Sequence, residues 1–288
     1  MIDIILDMFS YPFIQRAIIV GLMVSLCASL LGVSLVLKKY SMIGDGLSHV
    51  GFSALSIAFS LNTLPFFADH YKIDPLIFCI IMVIVVAFLL LRIGDRWKIA
   101  NDAAIALISA TSFTIGVIFI SLTSGINSDV TNTLFGTILA MSRSDVFLSV
   151  ALSGIVLILF ILFYHQIFAV TFDEDFAKAT GIRVERYNAL IALLTAVTIV
   201  LGMRIMGSLL ISSLIIFPAL TSMRLFKTFR NVVISSGMIS IICFMLGIVI
   251  SYVYRTPVGA SIVAVNILLF VVFSLIALIK RKISIKYQ

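Results

Sequence analysis

Apolar residues in this chain fall in repeated runs of roughly twenty, and that is the length a helix needs to cross a hydrocarbon core of about 30 Å. The runs place candidate spans at about 12–37, 46–64, 74–91, 102–122, 145–166, 188–203, 207–223, 231–252 and 259–279. That makes nine spans, or eight if 188–203 and 207–223 form a hairpin that does not fully cross. Helices are required because lipid offers no partner to an unpaired backbone group, and no alternating ten-residue pattern points to a barrel. Residues 131–142 are too short to cross and are expected to lie as an interfacial helix. The expected fold class is all-α, one polytopic integral membrane domain over 1–288.

Composition agrees with the pattern. Hydrophobic residues make up 62% of the chain and charged residues 11%, against about 45–50% and about 25% in soluble domains. The net charge of +7 resides in short basic clusters between apolar runs, which argues for membrane topology and against nucleic acid. If 38–45, 92–101, 167–187, 224–230 and 280–288 face the cytoplasm, they hold 15 of the 20 Lys and Arg residues. This bias sets a cytoplasmic C-terminal tail at 280–288 and, with nine spans, an external N-terminus. The first apolar run has no basic segment before it and no small-residue cleavage site after it, so it reads as a retained span. Cys27, Cys79 and Cys243 lie inside apolar runs without CxxC spacing and read as packing residues.

Candidate chemistry concentrates at the head of the second span, where Gly44-Asp45-Gly46-Leu47-Ser48-His49 places a carboxylate and an imidazole four residues apart on one helical face. Ser53, Ser56 and Ser60 continue that face as a polar stripe, which calls for water, a cation or another polar helix beside it. Two readings of the pair stand side by side. In one, Asp45 caps the helix and His49 satisfies a nearby carbonyl. In the other, ionisable groups inside a membrane mark an ion path, and a symmetric dimer doubles two ligands to the four that tetrahedral zinc prefers.

The longest charged stretch, 171–187, lies on the side assigned to the cytoplasm. Phe172, Phe176 and Ala179 at helical spacing give a short amphipathic helix that Gly181 ends, either resting on lipid or docking a cytoplasmic partner. Ser109, Thr111, Ser112, Thr114 and Asn266 read as hydrogen-bonding glue between helices. Pro218 is expected to kink or end its span. His70 and His165 fall at membrane edges, and Arg204 at a tight external turn. The chain carries no G-x-x-x-x-G-K-[ST] phosphate loop, no H-E-x-x-H and no G-x-S-x-G, so no enzymatic activity of its own is expected.

In order along residues 17–279, the basic pair with GDGLSH (44–49), VTNTLFGTILAMSRSD (130–145), FDEDFAKATGI (172–182), RIMGSLLISSLIIFPALTSMR (204–224) and YRTPVGAS (254–261) resemble the permease subunits of bacterial zinc and manganese ABC importers, the ZnuB-type proteins. The resemblance implies a fold related to the vitamin and siderophore permeases. It also implies a homodimer in the bacterial cytoplasmic membrane, two cytoplasmic ATPases, an extracytoplasmic metal-binding protein, and transported zinc or manganese with no bound cofactor. By position, it makes Asp45 and His49 the metal-contacting residues. It makes Phe172, Asp173, Glu174, Phe176, Ala177 and Gly181 the ATPase-docking segment. Two alternatives compete with that reading: a proton- or sodium-coupled secondary transporter with Asp45 as the coupling carboxylate, and a structural membrane protein whose polar stripe only packs helices.

Overall fold

The computed structural model describes residue 8 and residues 10–40, 42–63, 73–97, 101–122 and 143–286. The interfacial helix expected at 131–142, most of the 130–145 motif and His70 lie outside the described residues, as do the side chains of Arg143 and Arg204. The described residues are helical apart from turns. In chain order the helices are α1 (Pro12–Leu37), α2 (Ile43–Thr63), α3 (Pro75–Trp97), α4 (Asn101–Ser121), α5 (Arg143–Leu162), α6 (Tyr164–Phe172), α7 (Glu174–Ala179), α8 (Val184–Met206), α9 (Ser208–Leu225), α10 (Phe229–Tyr254) and α11 (Val258–Lys286).

Six of these, α1, α4, α5, α8, α10 and α11, are long and apolar enough to cross a membrane, while α3 and α9 hold the shorter apolar stretches Pro75–Leu90 and Leu210–Leu225. The helix α2, at 21 residues, is long enough, but Asp45, His49 and its serines lower its hydropathy. Burial separates an inner from an outer set. Of the α1 span 72% is buried, whereas α4 and α11 are each 17% buried and turn rows of Ile, Leu and Val outward, as lipid-facing helices do.

Helix α1 is the post around which α8, α9 and α10 pack. Small residues allow the close approach. A Cβ on Gly32 would stand 1.9 Å from the Ile215 carbonyl oxygen, so α1 and α9 touch backbone to backbone there. On the α10 side, Ser240 and Ser236 donate to the Ser25 and Ser29 carbonyls at 2.8 and 3.2 Å. The three cysteines are free and buried, as their apolar setting implied, with Cys27 and Cys79 donating to the carbonyls of Ser153 and Gly51.

Contacts bring several of the basic loops together. Lys38, from the first basic turn, meets Glu174 at 2.8 Å. Phe229, within the 224–230 loop, packs on Tyr164, Phe168 and Phe172 with ring centroids 5.1 to 5.9 Å apart. Three loops assigned to one side thus share one end of the bundle. Toward the other end, Asn62 exchanges hydrogen bonds of 2.8 and 3.0 Å with Ile73 and ties α2 to the start of α3.

Several expectations are corrected. Pro218 does not end its helix, which runs on to Leu225; packed neighbours let a membrane helix absorb the lost N–H. Thr111 and Thr114, both exposed, donate to the carbonyls of Leu107, Ile108 and Ala110 on α4 itself rather than to a second helix among the described residues. Asn266 likewise donates to Ile262 of its own helix. The span expected at 145–166 is interrupted: α5 ends at Leu162, Phe163 leaves helical geometry at φ −99° and ψ 19°, and α6 begins at Tyr164.

The close approach at Gly32 gives a paired prediction of opposite sign. Gly32→Ala should lower the thermal unfolding midpoint of detergent-purified protein, with an overpacking cost of about 1–3 kcal/mol. Gly154→Ala on α5, where an added Cβ meets nothing within 4 Å, should be neutral or raise it by about 0.5–1 kcal/mol through helix propensity.

Candidate metal pathway

The turn into α2 is built by an α1 C-terminus that closes as a Schellman motif. Tyr40 donates its N–H to the Leu35 carbonyl at 2.9 Å and Lys39 to Val36 at 3.1 Å. Lys39 occupies the left-handed position at φ 61°, where glycine is usual. The chain then re-enters a helix at Ile43, so Asp45 stands in the first turn of α2, with no unwound stretch between.

His49 Nε2 lies 3.7 Å from Asp45 Oδ1, too far for a hydrogen bond. Two donors on one tetrahedral zinc, each about 2.1 Å from the ion, stand about 3.4 Å apart, so a small side-chain adjustment brings both onto one cation. The Asp45 side chain is 41% exposed and that of His49 19%. The imidazole is edge-on to Phe113 of α4, centroids 5.1 Å apart, and Phe113 stacks in turn on Phe52. His49 Nδ1 is buried with no hydrogen-bond partner among the described residues.

No third His, Cys, Asp or Glu joins the pair among the described residues. Within the serine stripe, Ser56 donates to the Phe52 carbonyl of its own helix, and Ser60 crosses to the Phe119 carbonyl of α4 at 2.9 Å. Beside the stripe, Ser48 donates to the Asp45 carbonyl.

The 171–187 segment holds the end of α6, the whole of α7 and the start of α8 rather than a single helix. Phe172 ends α6 and packs on Phe168 and Phe229. Asp173 then takes an extended conformation and accepts the Phe176 N–H on its carboxylate at 2.9 Å, capping α7. Gly181, at φ 85°, closes α7 as sequence suggested, with Ile182 N–H on the Ala177 carbonyl and Gly181 N–H on Lys178. Ala177 is buried against Val170 and Val184, while Phe176 stands 64% exposed. Of the two phenylalanines singled out from sequence, only Phe176 is carried on α7.

Glu174 is held inward by residues that sequence reasoning missed. It accepts from Lys38 Nζ at 2.8 Å and from Asn188 Nδ2 at 3.2 Å, and Lys38 also donates to Asn188 Oδ1, closing a three-membered ring. Burial pulls the Lys38 ammonium below the usual lysine range, and Glu174 offsets only part of that. Burial alone would push the Glu174 carboxyl up; the Lys38 hydrogen bond and charge outweigh it, with Asn188 and Lys178 adding, and leave it below the usual carboxylate range. Lys38 is the deeper partner, at 8% exposure against 42%, so it bears the larger desolvation.

Comparison with known proteins extends the picture. The family model described as the ABC 3 transport family matches residues 10–277. The manganese import system permease protein ScaB of Streptococcus gordonii is 27% identical over 98% of this chain and 99% of its own length. The high-affinity zinc uptake system membrane protein ZnuB of Buchnera aphidicola is 32% identical over 84% of this chain and 89% of its own. Among solved structures, PsaBC from Streptococcus pneumoniae in complex with Fab superposes with a TM-score of 0.82 at 27% identity, covering 95% of each chain.

The capping geometry of α7 is testable by hydrogen exchange. Gly181→Ala, forced into a left-handed conformation, should cost about 1 kcal/mol and speed exchange of the amides that close α7. Gly181→Asn, which tolerates that conformation, should leave them close to the parental rate.

Proposed function

The chain belongs to the ABC 3 transport family, and from that premise we propose that it is the membrane-spanning permease subunit of an ABC importer carrying a divalent transition metal into the cytoplasm. Zinc is the first choice of cargo and manganese the second, and relatives are named for each. The observation that carries the proposal is the Asp45–His49 pair, two donors 3.7 Å apart at the head of a partly polar helix inside an otherwise apolar bundle. An imidazole favours zinc, whereas a carboxylate serves either metal.

In this reading all of 1–288 is one permease domain in the bacterial inner membrane, crossing it nine times when α2, α3 and α9 are counted with the six long apolar helices. Two copies meet with their α2 helices near the axis and supply four ligands where one copy supplies two. Metal arrives from an extracytoplasmic binding protein, meets the paired Asp45 and His49 groups, and leaves on the side of Lys38. Binding at such a point has to be favourable enough to admit the ion and weak enough to release it. The ATP is hydrolysed by two partner subunits that dock on the 172–181 segment, with Phe176 as the projecting anchor and Asp173 and Gly181 setting its frame. Family membership weighs against a proton- or sodium-driven carrier.

The test is metal uptake in vesicles holding the permease with its ATPase and binding protein. Asp45→Ala and His49→Ala, in complexes that still assemble, should each lower zinc uptake at least tenfold; parental uptake by both would remove the pathway. His49→Asp, which exchanges a nitrogen ligand for an oxygen one, should lower the ratio of zinc to manganese carried. Uptake that persists with an inactive ATPase would favour the secondary-transporter reading.

A further inference from the structure

We propose that Lys38, Glu174 and Asn188 act as one rigid link that carries movement of α7 to the head of α2, making them positioning residues for the metal pair. The proposal rests on the reading of α7 as the ATPase contact and names how a push there reaches Asp45 and His49.

The three side chains come from three elements. Lys38 caps the end of α1, Glu174 is the first residue of α7, and Asn188 stands early in α8. Both α1 and α8 are inner helices with most of their spans buried, so two corners of the triangle are anchored in the core. The third corner belongs to a six-residue helix otherwise seated by the small cluster of Ala177, Val170 and Val184. Each of the three side chains bonds to the other two. Such a closed set resists sliding in a way that an apolar contact does not, because moving one group strips a buried charge of its partner.

The short connection from Lys38 to α2 gives the link its consequence. The chain passes through Lys39 in the left-handed region and Tyr40 bonded to Leu35, and enters α2 at Ile43, two residues before Asp45. Residues 39–42 alone separate Lys38 from α2, too few for a long loop. A pull on the Lys38 side chain therefore acts on the turn that sets the position of the first turn of α2. Movement of packed elements by small steps is the usual form of such switching.

A purely structural staple would predict the same contacts, so the test reads coupling rather than activity. Permease, ATPase and binding protein are reconstituted together in liposomes, and zinc delivered and ATP hydrolysed are measured in the same vesicles. In assembled complexes, Lys38→Met and Asn188→Leu are expected to keep ATP hydrolysis within about twofold and to lower zinc carried per ATP by about tenfold. The double variant is expected to match the worse single one, since both break the same link. Lys38→Arg, which keeps the charge but changes the shape of the donor group, serves if a neutral variant fails to assemble, and is expected to give an intermediate ratio.

A parental ratio in any assembled variant overturns the link, as does a double variant whose loss is the product of the two single losses. A fall in uptake and hydrolysis together, in proportion and with a lowered unfolding midpoint, also overturns it in favour of a staple. Absence of ATP-dependent zinc or manganese uptake by the parental complex would instead overturn the proposed function itself.

Discussion

A polar atom inside this bundle has to find its partner in protein, and the arrangement of the site depends on where that partner is. In lipid an unpaired donor or acceptor costs several kcal/mol, so serines and threonines turn back onto carbonyls one helical turn away or onto a neighbouring backbone brought close by small residues. Ser25 and Ser29 illustrate both, bonding within α1 while their carbonyls accept from Ser240 and Ser236. The same constraint marks what is unusual. His49 Nδ1 is an ionisable-ring nitrogen buried without a partner among the described residues, and the Lys38 ammonium is buried with two.

Sequence carried the fold well because the strongest signals in it are local. Runs of about twenty apolar residues set the helices, the Gly181 position set the end of α7, and the clustering of basic residues set which loops share an end of the bundle. Helix interruptions inside charged or aromatic stretches were less legible. At Phe163 the ring stands edge-on to Tyr187 of α8, and at Asp173 a carboxylate caps the next helix; neither contact leaves a periodic trace. The polar residues of α4 show a related limit. Spacing tells which residues share a face, and it is silent on what stands opposite them.

The site divides in the same way. The Asp45–His49 pair was legible because both residues lie on one helix, one turn apart. The triangle of Lys38, Glu174 and Asn188 was not, because its members lie on three elements, the first more than a hundred residues from the others. The adjacent basic pair Lys38-Lys39 was visible, but nothing in it says which lysine turns inward; the structure buries Lys38 against Glu174. Glu174 and Asp175, in the first turn of the amphipathic helix α7, were the acidic candidates on that side.

The Asp45–His49 pair sits where α2 meets α4, and that contact is close: a Cβ on Gly116 of α4 would stand 2.9 Å from the Ser53 Cα. The turn that leads into α2 is anchored on its α1 side through Gly32 at Ile215 and through Lys38. A helix packed this closely on both sides can shift its first turn only together with a neighbour. Under the proposed function, the change that admits and releases an ion would therefore be a joint movement of packed helices rather than a side-chain swing on a loose edge.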